Sequence, residues 1–498
     1  MWLIILITLS IALFYYLITK NLNYWRNRSV PGPDPWPIVG NIGPSLIGRL
    51  PAGEIFTNIY RKYEGYPFVG IFRATTPALL VRDPDFVKNI TVKDFKHFQN
   101  NDLHVDKEVD PLFGRHPFVL KGAEWKIKRA QLSTCFTSGK MKGMYPLIRN
   151  SSERMVRYIE DEISKSSTME SRELCVRLTL DNVASCAFGL EGRSFDEPYS
   201  SFRQMADEFF SPDNFWMSIR TTILFLIPAL GKFFKIKFVS DTITQKLLNT
   251  VSSTLKYRKE NNVVRNDFLE YVSQLGDNTN VFTDVDITAS AASFFGDGYE
   301  SSSRAMSFLL FELARNPRVQ DTLRQEIIES YKNNNDSFSY ESIQEMSYLD
   351  ACFNENMRKN SLVHQLTKLC TEKYTYTPTN PEFKKLTVTV EPGTPVILPI
   401  TGLQNDPKYF ESPDEFKPER FLDKDNIQKF TYLPFGEGPR LCLGQRFGIT
   451  QVKVGLVHLL KNYRVTVNQK TQLPLKYDPW YIMLHAIGGL WIDLHKVE

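Results

Sequence analysis

The chain lacks the patterns that define several large classes of protein. No two of its cysteines form a C-x-x-C pair, which argues against a zinc site and against a disulfide-stabilised scaffold. Basic and acidic residues nearly balance, at 60 and 56, so the charge gives no reason to expect a nucleic acid as partner. No G-x-G-x-x-G segment follows a predicted strand, so no flavin or nicotinamide domain is expected. The six cysteines are scattered: Cys135, Cys175, Cys186, Cys352, Cys370 and Cys442.

A long apolar run is present at the N-terminus. Trp2 to Thr19 carries no charge and is rich in Leu, Ile and Phe, and its length is about the minimum that spans a bilayer core. A cleaved signal peptide is the weaker alternative, because no basic segment precedes the run and no small-residue cleavage site follows it. Lys20, Arg26 and Arg28 come next, so the positive-inside rule predicts a luminal N-terminus and a cytosolic main body.

A proline-rich segment, residues 31–37, separates this run from the rest of the chain. Its four prolines cannot continue a helix, so a stiff, extended linker is predicted. We therefore expect three parts: an anchor over residues 1–20, a linker over 21–40 and one globular domain over 41–498.

The globular domain is predicted to be mainly α-helical with small β-sheets. Helical periodicity dominates from about residue 83 to 332. Alternation over 386–390, a turn, and a return over 395–398 together predict a β-hairpin. A second apolar run, over 223–230, is too short to span a bilayer. Either it dips into the membrane surface beside its basic neighbours, or it is an ordinary buried helix.

Cys442 lies between Phe435 and Gly444, directly before a predicted helix over 445–462. A helix N-terminus and a nearby cation, here Arg440, both favour a thiolate, which is an axial ligand of haem iron. Most free cysteines are small buried hydrophobes, but the pattern F-x-x-G-x-R-x-C-x-G fixes four companions around this one. The segment resembles the haem-binding loop of the cytochrome P450 family, the haem-thiolate monooxygenases. The resemblance implies one mainly α-helical domain that binds haem b, with Cys442 as the iron ligand and Phe435 at the cofactor.

The resemblance also implies four residues that hold the haem propionates. Trp125 and Arg129 form a W-x-x-x-R pattern, which places an indole N–H and a guanidinium one helical turn apart. Taken alone, that pattern is more typical of a basic helix at the surface. Arg440 is a further propionate partner. Lys368 is another; it keeps the charge of the family's arginine but lacks its planar fork.

Glu355 and Arg358 form an E-x-x-R pattern, which a helix places on one face. The spacing is common by chance, and a solvated pair on a helix is its ordinary interpretation. The segment FKPERF follows at residues 416–421, and in the family the arginine of such a segment joins the pair in a buried triad. The resemblance therefore implies a structural triad of Glu355, Arg358 and Arg420 that supports the Cys442 loop.

A long helix is predicted over residues 284–316, between a capping box and Pro317. The family's oxygen-binding helix carries a small residue, a glycine, any residue, an acid and a threonine, and this chain has DGYES there. By resemblance, Gly298 leaves room for dioxygen, and Glu300 with Ser301 forms an acid–alcohol pair that delivers protons. The alternative is a helix kinked by glycines with polar residues on its surface.

Two residues of this stretch depart from the family pattern. Ser301 replaces threonine and loses the methyl group that fixes the rotamer, which predicts weaker coupling between oxygen use and product. Asp297 stands where a small apolar residue is usual, and an acid there is costly unless it has a partner. One branch of the family has a glutamate here that can form an ester with a haem methyl. Asp297 either does likewise or selects a polar or cationic group of the substrate.

The region after the E-x-x-R helix also departs from the family, because the usual proline pair is missing from residues 359–364. His364 stands in this segment and is a less favoured alternative as a haem ligand. Three loops, over 101–117, 209–234 and 480–485, are expected to determine the substrate.

The resemblance implies a membrane-bound monooxygenase that inserts one atom of dioxygen into a lipophilic small molecule. The substrate would be a xenobiotic, plant toxin, insecticide, or endogenous lipid or hormone, since the segment 135–142 looks most like insect members linked to xenobiotic metabolism. Electrons would come from NADPH through a cytochrome P450 reductase, with cytochrome b5 as a second candidate donor. The location would be the endoplasmic reticulum membrane. The candidates for a reductase-docking patch are Lys126, Lys128, Arg440 and Arg446.

Two other functions remain open at this point. A haem-thiolate isomerase or dehydratase that acts on hydroperoxides needs neither reductase nor proton relay, so Glu300 and Ser301 argue against it. A non-catalytic carrier of haem or another ligand is the third hypothesis, which the unusual Ser301, Asp297 and missing prolines favour.

Overall fold

The computed structural model describes residues 1–197, 199–210, 215–279 and 282–497. Over these residues the fold is mainly α-helical with small β-sheets, as predicted. The helices are α1 (Trp2–Thr19), α2 (Gly43–Leu46), α3 (Ala52–Lys62), α4 (Pro84–Lys88), α5 (Gly122–Ser133), α6 (Ser138–Ile163), α7 (Ser171–Val183), α8 (Ser201–Phe209), α9 (Phe215–Leu226), α10 (Pro228–Phe233), α11 (Asp241–Glu260), α12 (Phe268–Thr279), α13 (Asp284–Arg315), α14 (Pro317–Asn333), α15 (Tyr340–Gln344), α16 (Ser347–Lys359), α17 (Ile400–Gln404) and α18 (Gln445–Asn462). The strands are β1 (Phe68–Arg73), β2 (Thr76–Val81), β3 (Asn100–Asn101), β4 (Thr168–Glu170), β5 (Leu366–Leu369), β6 (Tyr374–Tyr376), β7 (Val388–Val390), β8 (Pro395–Leu398), β9 (Tyr463–Val467) and β10 (Trp491–Lys496).

The described strands form three small sheets. The largest has the order β1-β2-β8-β5-β3, in which β2 and β8 are parallel and the other neighbours antiparallel. β4, β10 and β9 form the second sheet, and β6 and β7 form the third. Lys368 lies in β5 opposite Asn101 of β3, so one predicted cofactor residue is held by the largest sheet.

The predicted hairpin over residues 386–398 is wrong. β7 pairs with β6 in one sheet, whereas β8 lies between β2 and β5 in another. Cys370, directly after β5, holds the intervening turn: its N–H donates to Thr394 O at 3.0 Å, and its carbonyl accepts from Gly393 N–H at 2.8 Å. Gly393 has a φ of 85°, which glycine adopts without strain. Alternation predicted the two strands, but partners distant in sequence determine the pairing.

α13 is the central helix of the domain. Its side chains are buried along most of its length, and α7, α16 and α18 pack against it. Thr283 and Asp286 form the predicted capping box at its start. It ends at Arg315, just before Pro317 begins α14. The predicted long helix is therefore confirmed, as is the helix over 445–462, which is α18.

The N-terminal helix α1 has no buried residue and a mean hydropathy of 2.2. Within the described part of the chain, it alone is long and apolar enough to cross a membrane. The linker that follows α1, predicted to be stiff and extended, packs on β1. Trp25 is only 3% exposed and donates its indole N–H to Ile71 O at 2.9 Å, and Gly70 N–H donates to Pro31 O at 2.8 Å. The connection from α1 is thereby held against the largest sheet.

The short apolar run over 223–230 spans the end of α9 and the start of α10. Leu224 and Leu226 within it are buried, so this part packs inside the protein. The exposed apolar side chains are instead Phe233 and Phe234, which are 78% and 66% exposed between exposed lysines. The buried-helix interpretation therefore describes the run itself, and an exposed aromatic pair follows it.

Candidate active site

Cys442 lies in a tight loop directly before α18. Its N–H donates to Phe435 O at 2.8 Å, and its sulfur accepts the N–H of Gly444. Gly438 has a φ of 72°, and a Cβ there would lie 2.0 Å from Thr91 O. No side chain fits at that distance, so the glycine lets the loop contact the segment around Thr91. The loop thus leaves Cys442 exposed, with the Gly444 N–H at its sulfur.

The electrostatics of Cys442 differ from the expectation that its surroundings stabilise a thiolate. Burial raises the pKa of its thiol to about 11, and the charge of Asp297 on α13 adds to this effect. The N–H of Gly444 and the charge of Arg129 act in the opposite direction but do not outweigh burial. The surrounding protein groups therefore raise the pKa of the thiol of the exposed Cys442, and a bound metal cation would lower it.

Three cationic side chains gather near the Cys442 loop. The guanidinium of Arg440 lies 4.1 Å from the ring centre of Trp125 and donates to three backbone carbonyls at 2.8–2.9 Å. Lys368 donates its Nζ–H to Asn101 Oδ1 at 2.8 Å. Arg129, on the same helix as Trp125, is half-buried. The described residues give the guanidinium of Arg129 no hydrogen-bond acceptor and give none of the three cations a carboxylate partner.

Burial lowers the pKa values of all three members of this cationic cluster, which consists of Arg129, Lys368 and Arg440. The pKa of Lys368 falls to about 7 through burial and then through the charge of Arg440. The pKa of Arg440 falls to about 9 through burial and then through the charge of Arg129. Positive charges that lack a carboxylate among the described residues are costly inside a protein. The cluster is therefore suited to a ligand that carries carboxylates.

Glu300, on α13, is fully buried and has three partners. Arg172 donates to both of its oxygens at 3.1 and 3.2 Å, Arg304 Nε donates at 2.6 Å, and the Tyr481 hydroxyl donates at 2.7 Å. Burial acts to raise the pKa of Glu300, but the two arginines and Tyr481 outweigh it and lower the pKa to about 2. Glu300 is therefore an ionised group held inside the protein rather than one that faces solvent.

Gly298 and Ser301 lie on the same helix. A Cβ at Gly298 would lie 3.0 Å from Cγ1 of Val183 and 3.8 Å from Cε1 of Phe447. The glycine therefore lets α13 pack closely on α7 and α18, a reason for it that differs from the predicted space for dioxygen. The Ser301 hydroxyl donates to Asp297 O at 2.6 Å, one turn back along the helix, and Ser301 remains partly exposed.

The Asp297 carboxylate is exposed and lies beside a histidine that the sequence did not suggest. Its Oδ2 lies 2.9 Å from Nε2 of His116, and the Asp297 side chain is 65% exposed. Nδ1 of His116 accepts the Phe118 N–H at 3.0 Å, so the proton that Asp297 accepts is carried on Nε2. The contact joins α13 to the loop over 101–117, one of the predicted substrate loops.

A sequence model of the family described as cytochrome P450 matches residues 30–492 of this chain. The chain belongs to the cytochrome P450 family. It is 34% identical over 495 residues to cytochrome P450 6j1 of Blattella germanica, covering 99% of this chain and 97% of that protein. It is 35% identical over 492 residues to probable cytochrome P450 6a13 of Drosophila melanogaster, covering 98% and 97%. Cytochrome P450 6a2 of the same fly is 34% identical over 510 residues, with 99% of each chain covered.

As a cytochrome P450, the protein is a haem-thiolate monooxygenase with haem b as its cofactor, and the resemblance to insect members is confirmed. The donor set fits this group. Haem b carries two carboxylates, and the cationic cluster supplies three positive groups. One of them, Arg440, lies over the indole of Trp125. Phe435 lies in the Cys442 loop and stacks on Phe353 with ring centres 6.3 Å apart, which supports the loop from the protein side.

The predicted structural triad is brought together around Glu355. Arg358 donates to both carboxylate oxygens at 2.7 and 2.9 Å, Arg420 Nε lies 3.4 Å from Oε1, and the Lys417 N–H donates at 2.9 Å. Glu355 and Arg358 are both fully buried. Arg358 also donates to the carbonyls of Gln404 and of residues 413 and 415, so the pair joins α16 to the segment that leads to the Cys442 loop.

Two other expectations are changed by the structure. Lys128 is buried and its Nζ lies 3.3 Å from Asp286 Oδ1, so its place in a docking patch is wrong; Lys126 and Arg446 are exposed. His364 contacts Thr401 Oγ1 at 3.1 Å through Nδ1, and burial lowers its pKa to about 4. Its imidazole is thus held by α17, and Cys442 stays the predicted ligand.

The sequence reasoning missed His116, Arg172, Arg304 and Tyr481. One signal was available, because Arg304 follows Glu300 by one helical turn, a spacing at which opposite charges meet. The other three contact α13 from distant parts of the chain, and no local sequence pattern predicts these contacts. Tyr481 does fall in the predicted substrate loop over 480–485. Of the predicted loop over 209–234, residues 211–214 lie outside the described part of the structure.

Proposed function

We propose that this cytochrome P450 is a membrane-anchored enzyme that inserts one atom of dioxygen into a lipophilic small molecule, with electrons from NADPH through a flavoprotein reductase. The observation that carries the proposal is the Cys442 thiol, whose pKa responds to the charges of Asp297 on α13 and of Arg129 in the cationic cluster. A thiolate ligand and paired propionate partners are what haem-dependent oxygen chemistry requires of a protein. An aromatic pocket beside α13, with Phe113, Phe210 and Phe238 in its walls, supports a lipophilic substrate such as a xenobiotic, plant toxin, insecticide, or endogenous lipid or hormone.

Each site residue then has a defined task. Cys442 supplies the axial sulfur, and Arg129, Arg440 and Lys368 with Trp125 hold the propionates. Haem, when bound, supplies the reductive activation of dioxygen. Phe435 shapes the loop that carries the sulfur.

Proton delivery is the task of α13. Ser301 is partly exposed, and by releasing Asp297 O its hydroxyl could instead donate a hydrogen bond to a water or to a bound ligand and so position a proton source. Glu300 is the adjacent acid, but its carboxylate is ionised and is held by Arg172, Arg304 and Tyr481, so it has no proton of its own to pass to Ser301. We therefore assign Ser301 the direct contact and Glu300 a role in positioning α13 and the charges around it.

The proposed location is the endoplasmic reticulum membrane, with α1 as the single anchor and the catalytic domain in the cytosol. Lys20 after α1 supports this orientation. Phe233 and Phe234, exposed between lysines, are suited to a second contact with membrane lipid. Exposed Lys126 and Arg446 near the Cys442 loop support docking of an acidic reductase surface, and cytochrome b5 is a second candidate donor.

The test is reconstitution of the full-length protein with NADPH–cytochrome P450 reductase in lipid vesicles, with isotope-labelled dioxygen and a panel of lipophilic compounds. We expect products that carry one labelled oxygen atom and that require both NADPH and the reductase. Unlabelled products formed from an organic hydroperoxide without NADPH would support the isomerase or dehydratase instead. NADPH consumption without product from any compound would support the carrier.

A further inference from the structure

The pocket beside α13 is lined mainly by apolar residues, of which four are phenylalanines. Its walls come from α13, from the segment around Phe113, from the end of α8 and from residues 238 and 239. The ionisable side chains in the lining are His116 and Asp297, and the remaining polar one, Ser293, donates its hydroxyl to Ala289 O within α13. One carboxylate thus stands in surroundings that otherwise favour an apolar molecule.

The charge of Asp297 is only partly compensated. His116 is its one hydrogen-bond donor among the described residues, at 2.9 Å. Phe118 N–H donates to the other nitrogen of the ring, so a charged imidazole would have to give up that bond. The described residues offer no lysine or arginine partner to Asp297, and its Oδ1 accepts no hydrogen bond there. A carboxylate in an apolar pocket gains from a cation that brings its own positive charge.

The walls that face this carboxylate are held in place before any ligand binds. The Asp110 carboxylate accepts the N–H of Phe113 at 2.9 Å and those of Phe238 and Val239 at 2.9 and 2.8 Å. The ring of Phe113 stacks on that of Phe238 with centres 4.1 Å apart. Aromatic faces attract organic cations, and fixed walls reduce the ordering cost of binding. Fixed aromatic rings therefore line the same pocket as the exposed Asp297 carboxylate.

We propose that Asp297, oriented by His116, recognises the cationic nitrogen of a lipophilic organic amine, and that it disfavours lipophilic carboxylates. The proposal rests on the proposed monooxygenase function and names its substrate class. Because Asp297 precedes Gly298 and Ser301 on α13, an amine held there has its neighbouring carbons beside the predicted oxygen site. An ester between Asp297 and haem would remove the negative charge of the carboxylate. Asp297 therefore cannot both form this ester and bind a cationic nitrogen.

The test uses three probes of similar shape on the haem-loaded full-length protein: benzyltrimethylammonium, its neutral carbon isostere neopentylbenzene, and 3-phenylpropanoate. The quaternary nitrogen has no lone pair, so it cannot bind iron. Dissociation constants are measured by equilibrium dialysis, a readout that needs no turnover. We expect the cation to bind at least about tenfold more tightly than the isostere, and the carboxylate to bind most weakly.

Two variants make the result specific to Asp297. Asp297→Asn is expected to weaken binding of the cation at least about tenfold while leaving the isostere within about twofold. Asp284→Asn, a matched change at the exposed start of the same helix, should leave all three affinities unchanged. An equal cation-to-isostere ratio in the parent and in Asp297→Asn would overturn the proposal, as would haem that resists acid–acetone extraction from the parent. The dialysis experiment measures binding without NADPH or reductase. Its outcome therefore does not depend on whether the reductase assay yields a product.

Discussion

Replacing Glu355 with glutamine is expected to destabilise the domain by about 3–5 kcal/mol and to prevent stable haem loading. Glu355 and Arg358 are fully buried, and the carboxylate meets two arginines and a backbone N–H. The neutral amide cannot balance Arg358, which stays inside the protein as an uncompensated charge. Since Arg358 also holds carbonyls on the way to the Cys442 loop, the loop should lose its support.

The measurement is the midpoint of urea unfolding, followed by circular dichroism, together with the haem content of the purified protein. Glu341→Gln is the matched control, because Glu341 pairs with Lys142 at the surface, where both side chains are about half exposed. Exposed pairs contribute little, so this variant should keep the parent's midpoint and haem content. Similar losses in the two variants would contradict the assigned role of the triad.

Replacing Glu300 with glutamine is expected to have an effect of similar size, about 3–5 kcal/mol of lost stability. The change leaves Arg172 and Arg304 together beside α13 without the carboxylate that both contact. Tyr481→Phe removes only a neutral donor to the same carboxylate, so it should cost about 1 kcal/mol. Urea midpoints of the two variants, compared with that of the parent, provide the measurement.

The pH dependence of stability provides a second test of whether Glu300 is ionised in the folded protein. Its pKa is about 2 in the folded protein against an ordinary value of 4.5. A lowered pKa contributes stability that is present above pH 4.5 and lost as the pH falls towards 2. Glu300→Gln should therefore lose less stability than the parent over this range. An identical acid response in both proteins would mean that the buried cluster does not hold an ionised Glu300.

Ser301→Thr separates the chemistry of α13 from its stability. The added methyl fixes the hydroxyl rotamer, so peroxide release per NADPH consumed should fall while the urea midpoint stays that of the parent. Equal peroxide release from serine and threonine would contradict the expectation that Ser301 weakens coupling. Glu300→Gln, by contrast, should alter both quantities, because its first effect is on the structure around the helix.

Features set by local pattern were predictable from the sequence. The capping box and Pro317 bounded α13, and the F-x-x-G-x-R-x-C-x-G pattern located the Cys442 loop before α18. In the Glu355 triad, the E-x-x-R spacing fixed one contact, while the third member came from family resemblance. Apart from Arg420, the determining residues lie within a few positions of one another or in a motif with fixed spacing.

Features set by distant contacts were not predictable in the same way. Residues 386–398 alternate as a hairpin does, yet β7 and β8 pair with strands from elsewhere in the chain. His116 and Asp297 are 181 residues apart, so their contact depends on how the loop over 101–117 folds against α13. The same holds for Arg172 and Tyr481 at Glu300. The helix-terminus argument for a thiolate at Cys442 also omitted burial, which dominates its pKa.

The most direct test of haem-thiolate ligation is the carbon monoxide difference spectrum of the reduced, detergent-solubilised protein, with Cys442→Ala beside it. We expect a strongly red-shifted Soret band in the parent and its loss in the variant, because only a thiolate ligand produces that shift. A band at the position typical of histidine-ligated haem in the parent, or an unchanged red-shifted band in Cys442→Ala, would contradict the assignment of Cys442 as the iron ligand.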